Sequence, residues 1–258
     1  MPLRRRLVLS ALVVGSVAPD FHYFLNLAPS GHFAHTVPGV FLFCLPVGLA
    51  VLWIFHKLLK LPLISLAPAR HQQRLMRFTK PFCWGPSGRF LVILFSLLVG
   101  SLSHIAWDAF THHRGFVVRN LPDMRTPPLE EFGSHRPLYN LLQLGSSVLG
   151  PSLLVFWYWR WFRREPPQPV PDWLQLSEAM RKWIVAATFI LAAAASLPYA
   201  YSYASSYSAS LYVPWRPLFV GTSLVMFMSL VLIEAICFAI AWWWKARQRL
   251  AVGGKSAV

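Results

Sequence analysis

The sequence predicts an all-α integral membrane protein with about six transmembrane helices in a bundle. Of the 258 residues, 56% are hydrophobic and only 13% are charged, whereas an ordinary soluble domain carries roughly 25% charged residues. The hydrophobic residues are gathered in six apolar runs, each close to the roughly 20 residues that a helix needs to cross a bilayer. The cations lie between these runs, so apolar spans alternate with basic or polar connectors.

The first predicted span covers residues 7–27 and follows three arginines at positions 4–6. This segment superficially resembles a signal peptide, but it continues into Pro19 and Asp20 without a small-x-small cleavage site, so we expect a retained anchor. Pro19 cannot donate a backbone hydrogen bond, so the helix should kink or end there. Asp20 then lies near the far membrane face, unless it serves only as the N-cap of a short following turn.

Five further apolar runs complete the prediction. They cover residues 37–56, 90–111, 138–159, 183–201 and 218–244. We divide the chain into three parts. These are a four-helix core at 1–165, a proline-rich cytoplasmic linker at 166–182, and two further transmembrane helices with a basic cytoplasmic tail at 183–258.

The distribution of cations predicts the orientation of the spans. The N-terminus, residues 57–89, residues 160–182 and the C-terminal tail are rich in Lys and Arg, and the connectors between them are poorer. Because basic connectors stay in the cytoplasm, we expect a bacterial cytoplasmic membrane protein with both termini inside. The net charge of +15 then reflects topology and attraction to anionic membrane lipids, and no nucleic acid partner is predicted. The sequence does not predict an oligomeric state.

The candidate functional residues stand at the end of the third span. His104, Asp108 and His112 are spaced i, i+4 and i+8, which places them on one face of a helix. A carboxylate between two imidazoles in a membrane segment is costly and normally has a partner or a function. Spacing alone leaves two interpretations open. One is a metal or proton-transfer site, and the other is a polar stripe that ties the helix to its neighbours.

The predicted topology gathers further candidates at the same membrane face. Two aspartates and seven of the nine histidines lie at outer helix ends or in outer loops: Asp20, His22, His32, His35, His104, Asp108, His112, His113 and His135. Scattered interfacial histidines would not gather in this way, which favours a site. Imidazole and carboxylate ligands match zinc, iron or manganese, and the three cysteines lack the C-x-x-C spacing of a thiolate site.

Several blocks of the chain resemble the bacterial membrane family of domain of unknown function 4184. They are Gly15–Phe21, Ala34–Thr36, Gly100–His112 and Arg136–Ser147. The chain is more distantly similar to membrane-bound predicted metal-dependent hydrolases of the LexA-regulated type, which carry Pro-Asp, Thr-His-Ser and Ser-His-x-x-x-Asp blocks in this order. The resemblance implies a membrane-embedded metal-hydrolase site. The residues at the matching positions are Asp20, His35, His104 and Asp108.

One departure from these families bears on the ligand set. Their members usually begin with a Pro-Phe-Thr-x-x-His-Pro-like segment, whose histidine would be another ligand. This chain starts at Met1 with Met-Pro-Leu-Arg, where that segment would end. The resemblance therefore implies either a further ligand upstream of Met1 or a copy without it, with His22 as a substitute.

Three classes of function fit these residues. The first is a metal-dependent hydrolase with a divalent ion, zinc before iron or manganese, that acts at the outer face on a lipid or envelope-precursor substrate. Its metal ligands would be Asp20, His35, His104, Asp108 and His112, with Asp108 and His112 as the catalytic residues. The second is a non-catalytic membrane protein whose cluster is structural or an ion site. The third is a small transporter or proton relay, which the one-sided cluster and the lack of an inverted repeat disfavour.

Overall fold

The computed structural model describes residues 7–27, 33–130, 133, 135–208, 210 and 214–253. Within these residues the chain forms helices, turns and irregular connections without β-strands, which confirms the all-α class. Five helical segments are long and apolar enough to cross a membrane, which confirms a multi-pass membrane protein. They are Val37–Leu66, Ser87–Asn120, Leu138–Arg164, Asp172–Tyr207 and Trp215–Gln248.

The helices of the described residues are labelled here in chain order. They are α1 (Leu9–Val17), α2 (Phe21–Asn26), α3 (Val37–Leu66), α4 (Ala69–Leu75), α5 (Ser87–Thr111), α6 (Phe116–Asn120), α7 (Leu138–Arg164), α8 (Glu178–Tyr207) and α9 (Trp215–Gly253). Helix α3 contains two π-helical stretches, Val40–Cys44 and Phe55–Leu59. Short 3₁₀ turns lie at Ala18–Asp20, Phe33–His35, Met76–Phe78, Pro122–Arg125 and Asp172–Leu174.

The first predicted span is not one regular helix. Helix α1 ends at Val17, a 3₁₀ turn containing Pro19 follows, and α2 begins at Phe21. The predicted interruption at Pro19 is therefore confirmed, and this segment is not among the five long apolar helices. Asp20 occupies the N-cap position of α2, but its side chain makes no capping hydrogen bond. The interpretation of Asp20 as a helix cap is therefore wrong, and its carboxylate is available for other contacts.

Helix α3 is longer than the predicted second span. The expected end at His56 was wrong, because the helix continues to Leu66 and contains both Lys57 and Lys60. Lys60 is only 8% exposed, and its Nζ donates a hydrogen bond to the Lys80 carbonyl oxygen at 2.7 Å. A long lysine side chain can lie along apolar surface while its ammonium group reaches a polar partner, so these charges do not end the helix.

Helices α1 and α5 pack at unusually short distance. A Cβ atom on Gly15 would lie 2.3 Å from the carbonyl oxygen of Leu97, and one on Gly100 would lie 2.3 Å from that of Leu12. Across the same contact, the Ser101 hydroxyl donates a hydrogen bond to the Gly15 carbonyl oxygen at 3.1 Å. Small residues are what allow helix backbones to approach this closely in membranes. The glycine pair therefore brings the end of α1 beside the end of α5.

The remaining long helices are α7, α8 and α9. Helices α8 and α9 pair with each other, and they meet the end of α3 through a buried cluster of Ile64, Leu174, Trp242 and Ala246. Helix α7 has no buried residue. The three segments that matter for the candidate site are therefore α1 with its following turn, the start of α3, and α5.

Candidate metal site

Three separate segments contribute side chains to one polar cluster. Asp20 comes from the turn between α1 and α2, and His35 from the 3₁₀ turn before α3. His104, Asp108 and His112 come from the last turns of α5 and its C-cap. The structure thus brings together all five residues that the sequence singled out as candidate ligands.

The distances within the cluster suit a metal ion. Nε2 of His35 lies 3.5 Å from Oδ1 of Asp20 and 3.4 Å from Oδ2 of Asp108. Nε2 of His104 lies 3.6 and 3.2 Å from the same two atoms. Zinc bonds to nitrogen and oxygen of about 2.1 Å in a tetrahedral arrangement separate neighbouring ligand atoms by roughly 3.4 Å. The ligand atoms of Asp20, His35 and His104 all lie within 4.8 Å of one another, so this set can hold a metal ion.

His104 is oriented by the backbone of α1. Its Nδ1 lies 2.7 Å from the carbonyl oxygen of Ser16, and a carbonyl only accepts hydrogen bonds, so Nδ1 carries the proton. The ring then presents Nε2 to the carboxylates of Asp20 and Asp108. This Nε2 is buried and lies 3.2 Å from Oδ2 of Asp108. Metal-bound histidines typically donate their other N–H to a carbonyl or carboxylate in this way, so the donor set fits a metal.

His35 is held by a local network at the start of α3. The hydroxyl of Thr36, the N-cap residue, accepts a hydrogen bond from the Gly39 amide at 3.1 Å. The same hydroxyl donates to the Phe33 carbonyl oxygen at 2.7 Å. A Cβ on Gly39 would lie only 1.8 Å from that oxygen, so the turn closes tightly onto the helix. This geometry fixes the backbone that presents His35 to the two carboxylates.

The carboxylates of the cluster favour the protonated, positively charged form of His35 when no metal is bound. Contacts with Asp108 and then Asp20 raise the pKa of His35 from 6.5 to about 9. At neutral pH the metal-free protein therefore carries a proton on His35, and the imidazolium partly neutralises the two carboxylates. A metal ion bound between the same groups would replace this proton, so metal binding and protonation compete.

His112 lies at the rim of the cluster. Its Nδ1 is 3.3 Å from Oδ1 of Asp108, and its side chain is 54% exposed. It is not one of the three residues whose ligand atoms lie within 4.8 Å of one another. The side chain of Asp20 is 36% exposed. The cluster is therefore open to its surroundings on the side of Asp20 and His112, which leaves access for a water or substrate.

Other predicted histidines lie outside this group of close ligand atoms. They are His22, His113 and His135, and His32 lies outside the described residues. The Nδ1 of His22 contacts Asn26 at 3.0 Å, and its ring meets Phe43 edge-on. The other two contact Tyr139 and Glu130, respectively. The structure thus separates five clustered residues from histidines that share only the same end of the protein.

Sequence reasoning missed three contributors to the site. The ring of Tyr23 stacks on His35 with centroids 6.1 Å apart, the Ser16 carbonyl orients His104, and the Gly15–Gly100 contact sets the distance between the helices. Only the glycines left a sequence signal, as small residues on two predicted spans. A backbone carbonyl has none, because every residue carries one.

Comparison with known proteins places the chain in a family. Searches of curated proteins and of solved structures found no match. The model of the family described as Domain of unknown function (DUF4184) matches residues 1–240, which include the whole cluster. The chain therefore belongs to the DUF4184 family, as its sequence blocks predicted.

Proposed function

We propose that this protein is a membrane-embedded, metal-dependent hydrolase that holds one divalent ion in the His/Asp cluster. Zinc is the first candidate, with iron or manganese as alternatives. The observation that carries the proposal is the convergence of two imidazole nitrogens on two carboxylates, with Nε2 of His104 lying 3.6 and 3.2 Å from Asp20 and Asp108. Two carboxylates in this position are costly unless a cation, either a proton or a metal ion, balances their charge.

The five side chains would have different roles in hydrolysis. Asp20, His35 and His104 would hold the metal, which would act as a Lewis acid and lower the pKa of water toward 7. Asp108 directs Oδ2 at the two inner histidines and Oδ1 at His112. Asp108 would accept the proton that the attacking water loses and pass it to His112, whose exposed ring would release it to solvent.

The surroundings of the cluster favour a substrate with an apolar part. Trp107 and Phe110 on α5 and Phe33 beside His35 are exposed apolar rings. A site at the end of a transmembrane helix with such neighbours suits a lipid or a lipid-linked envelope precursor, whose polar bond reaches the metal. The excess of Lys and Arg at the other helix ends supports an outer-face position in the bacterial cytoplasmic membrane, with both termini in the cytoplasm.

Metal analysis tests the site directly. Full-length protein purified in detergent should contain about one zinc, iron or manganese ion per chain by elemental mass spectrometry. His104→Ala should lose it, because this change removes a ligand and the contact to Ser16. His113→Ala is the matched control, since His113 follows the cluster in sequence but contacts Tyr139 instead. Equal metal content in the wild type and His104→Ala would overturn the proposal.

Hydrolysis is tested with the metal-loaded protein on chromogenic carboxylic and phosphoric esters that carry acyl chains. Turnover should require the metal and should fall strongly in Asp108→Asn, and His113→Ala should keep it. An Asp108→Asn variant that retains both metal and full turnover would exclude Asp108 from the reaction.

A structural metal site is the second candidate function. The cluster joins the turn after α1, the start of α3 and α5, and Asp108 alone contacts three histidines. A metal ion that joins three segments stabilises the fold even if the protein catalyses no reaction. In that case a chelator should lower the melting temperature markedly, and none of the ester probes should be hydrolysed at any metal loading.

A further inference from the structure

A large cavity lies at the opposite end of the three segments that form the His/Asp cluster. Its volume is about 730 Å³. It is lined by residues 7–10 around the start of α1, the second half of α3, the connector from the end of α4 to Cys83, and Arg89 at the start of α5. The residues of the cluster lie after the end of α1, just before the start of α3 and at the end of α5. The cavity is therefore separate from the proposed metal site and lies at the opposite ends of these helices.

The cavity is strongly basic. Lys60, Arg77, Lys80 and Arg89 line it, and none of the described residues that line it is Asp or Glu. The Lys60 ammonium group donates a hydrogen bond to the Lys80 carbonyl oxygen, and Arg77 forms an ion pair with Glu165. Lys80 and Arg89 are exposed, and neither forms a salt bridge with another described residue. Two cations thus face the cavity without a counter-charge.

The remaining walls of the cavity are mostly apolar. Leu9, Leu63 and Phe78 line it and are exposed. His56 adds one polar group to the lining. Its ring stacks on that of Phe82 with centroids 4.0 Å apart, and its Nδ1 is buried without a hydrogen-bond partner among the described residues. A ligand that fills this space must therefore combine an anionic head with apolar chains.

We propose that this cavity binds an anionic phospholipid. The phosphate lies against Lys80 and Arg89, which form charge-assisted hydrogen bonds, and the acyl chains follow the exposed apolar side chains into the bilayer. Basic pockets between transmembrane helices at the cytoplasmic face recognise anionic headgroups in this way. The apolar walls distinguish the lipid from a soluble anion, which would leave Leu9, Leu63 and Phe78 in water. The site is independent of the proposed hydrolase function.

Lipid binding can be measured on the full-length protein in detergent. Adding phosphatidylglycerol should raise the melting temperature in a concentration-dependent manner, and phosphatidylcholine with the same acyl chains should raise it much less. Lys80→Gln/Arg89→Gln should bind phosphatidylglycerol about 30-fold more weakly. Each cation near an anionic lipid surface raises the affinity by a factor of about five, and the variant loses two cations. Both side chains are exposed, so the variant should fold and melt like the wild type in phosphatidylcholine.

A matched control removes the same charge elsewhere. Arg160→Gln/Arg164→Gln neutralises two exposed arginines at the end of α7 that do not line the cavity, and it should bind phosphatidylglycerol like the wild type. An equal effect of both double variants would show attraction to the whole basic face and would overturn the proposal. An equal stabilisation by phosphatidylcholine, or by inorganic phosphate at the same concentration, would overturn it as well.

Discussion

Replacing Gly100 by alanine should weaken metal binding, although Gly100 has no side chain that could hold the metal. The added Cβ would lie 2.3 Å from the Leu12 carbonyl oxygen, whereas an ordinary van der Waals contact begins at 3.4 Å. Both groups belong to helix backbones, so neither can rotate away. Helices α1 and α5 must therefore separate by about 1 Å at this point, and over-packing of this kind costs about 1–3 kcal/mol of stability.

The separation should reach the cluster through His104. Its Nδ1 lies 2.7 Å from the Ser16 carbonyl oxygen on α1, and a contact stretched by about 1 Å is no longer a hydrogen bond. Losing such an outer partner of a metal-bound histidine typically weakens metal affinity 10–100-fold. We therefore expect Gly100→Ala to raise the metal dissociation constant by about this factor and to lower the melting temperature of the metal-free protein.

A competition titration against a chromogenic chelator measures this effect in detergent. Gly145→Ala is the control, because a Cβ on Gly145 in α7 would have no neighbour within 4 Å. It should leave affinity unchanged and should stabilise its helix slightly, since alanine favours helix more than glycine does. If Gly100→Ala binds metal as tightly as the wild type, or if Gly145→Ala weakens binding equally, the coupling between helix contact and site is refuted.

Two further predictions concern His35. Because its pKa is raised from 6.5 to about 9 in the metal-free protein, metal must displace a proton there, and the apparent metal dissociation constant should fall up to tenfold per pH unit between about pH 6 and 8; calorimetric titrations that show no pH dependence would contradict this. The same shift stabilises the metal-free fold below pH 6.5, and this contribution should be lost as the pH rises through about 9, which melting curves with chelator can check. Thr36→Ala removes the N-cap of α3. It should lower the free energy of unfolding by about 1 kcal/mol and should also weaken metal binding. Ser177→Ala removes the equivalent cap of α8 and should cost similar stability without affecting the metal, so equal metal loss in both variants would count against a positioning role for Thr36.

Composition was sufficient to predict the class of the fold. Apolar runs long enough to span a bilayer must satisfy their backbone groups internally, and helices do this without partners. The same local logic predicted the break at Pro19, which lacks an amide proton. It failed at the end of α3, where Lys57 and Lys60 were expected to terminate the helix. The Lys80 carbonyl that accepts from Lys60 belongs to a different segment, and periodicity contains no information about such a partner.

The sequence by itself determined which five residues form the candidate site. The i, i+4, i+8 spacing placed three of them on one face of α5, and the charge pattern with the family resemblance added Asp20 and His35. Only the tertiary structure decided how these residues meet. The Gly15–Gly100 contact sets the distance, the Ser16 carbonyl selects the tautomer of His104, and the distances separate His112 from the inner group. These features depend on close approach between distant parts of the chain, which side-chain type and spacing alone do not specify.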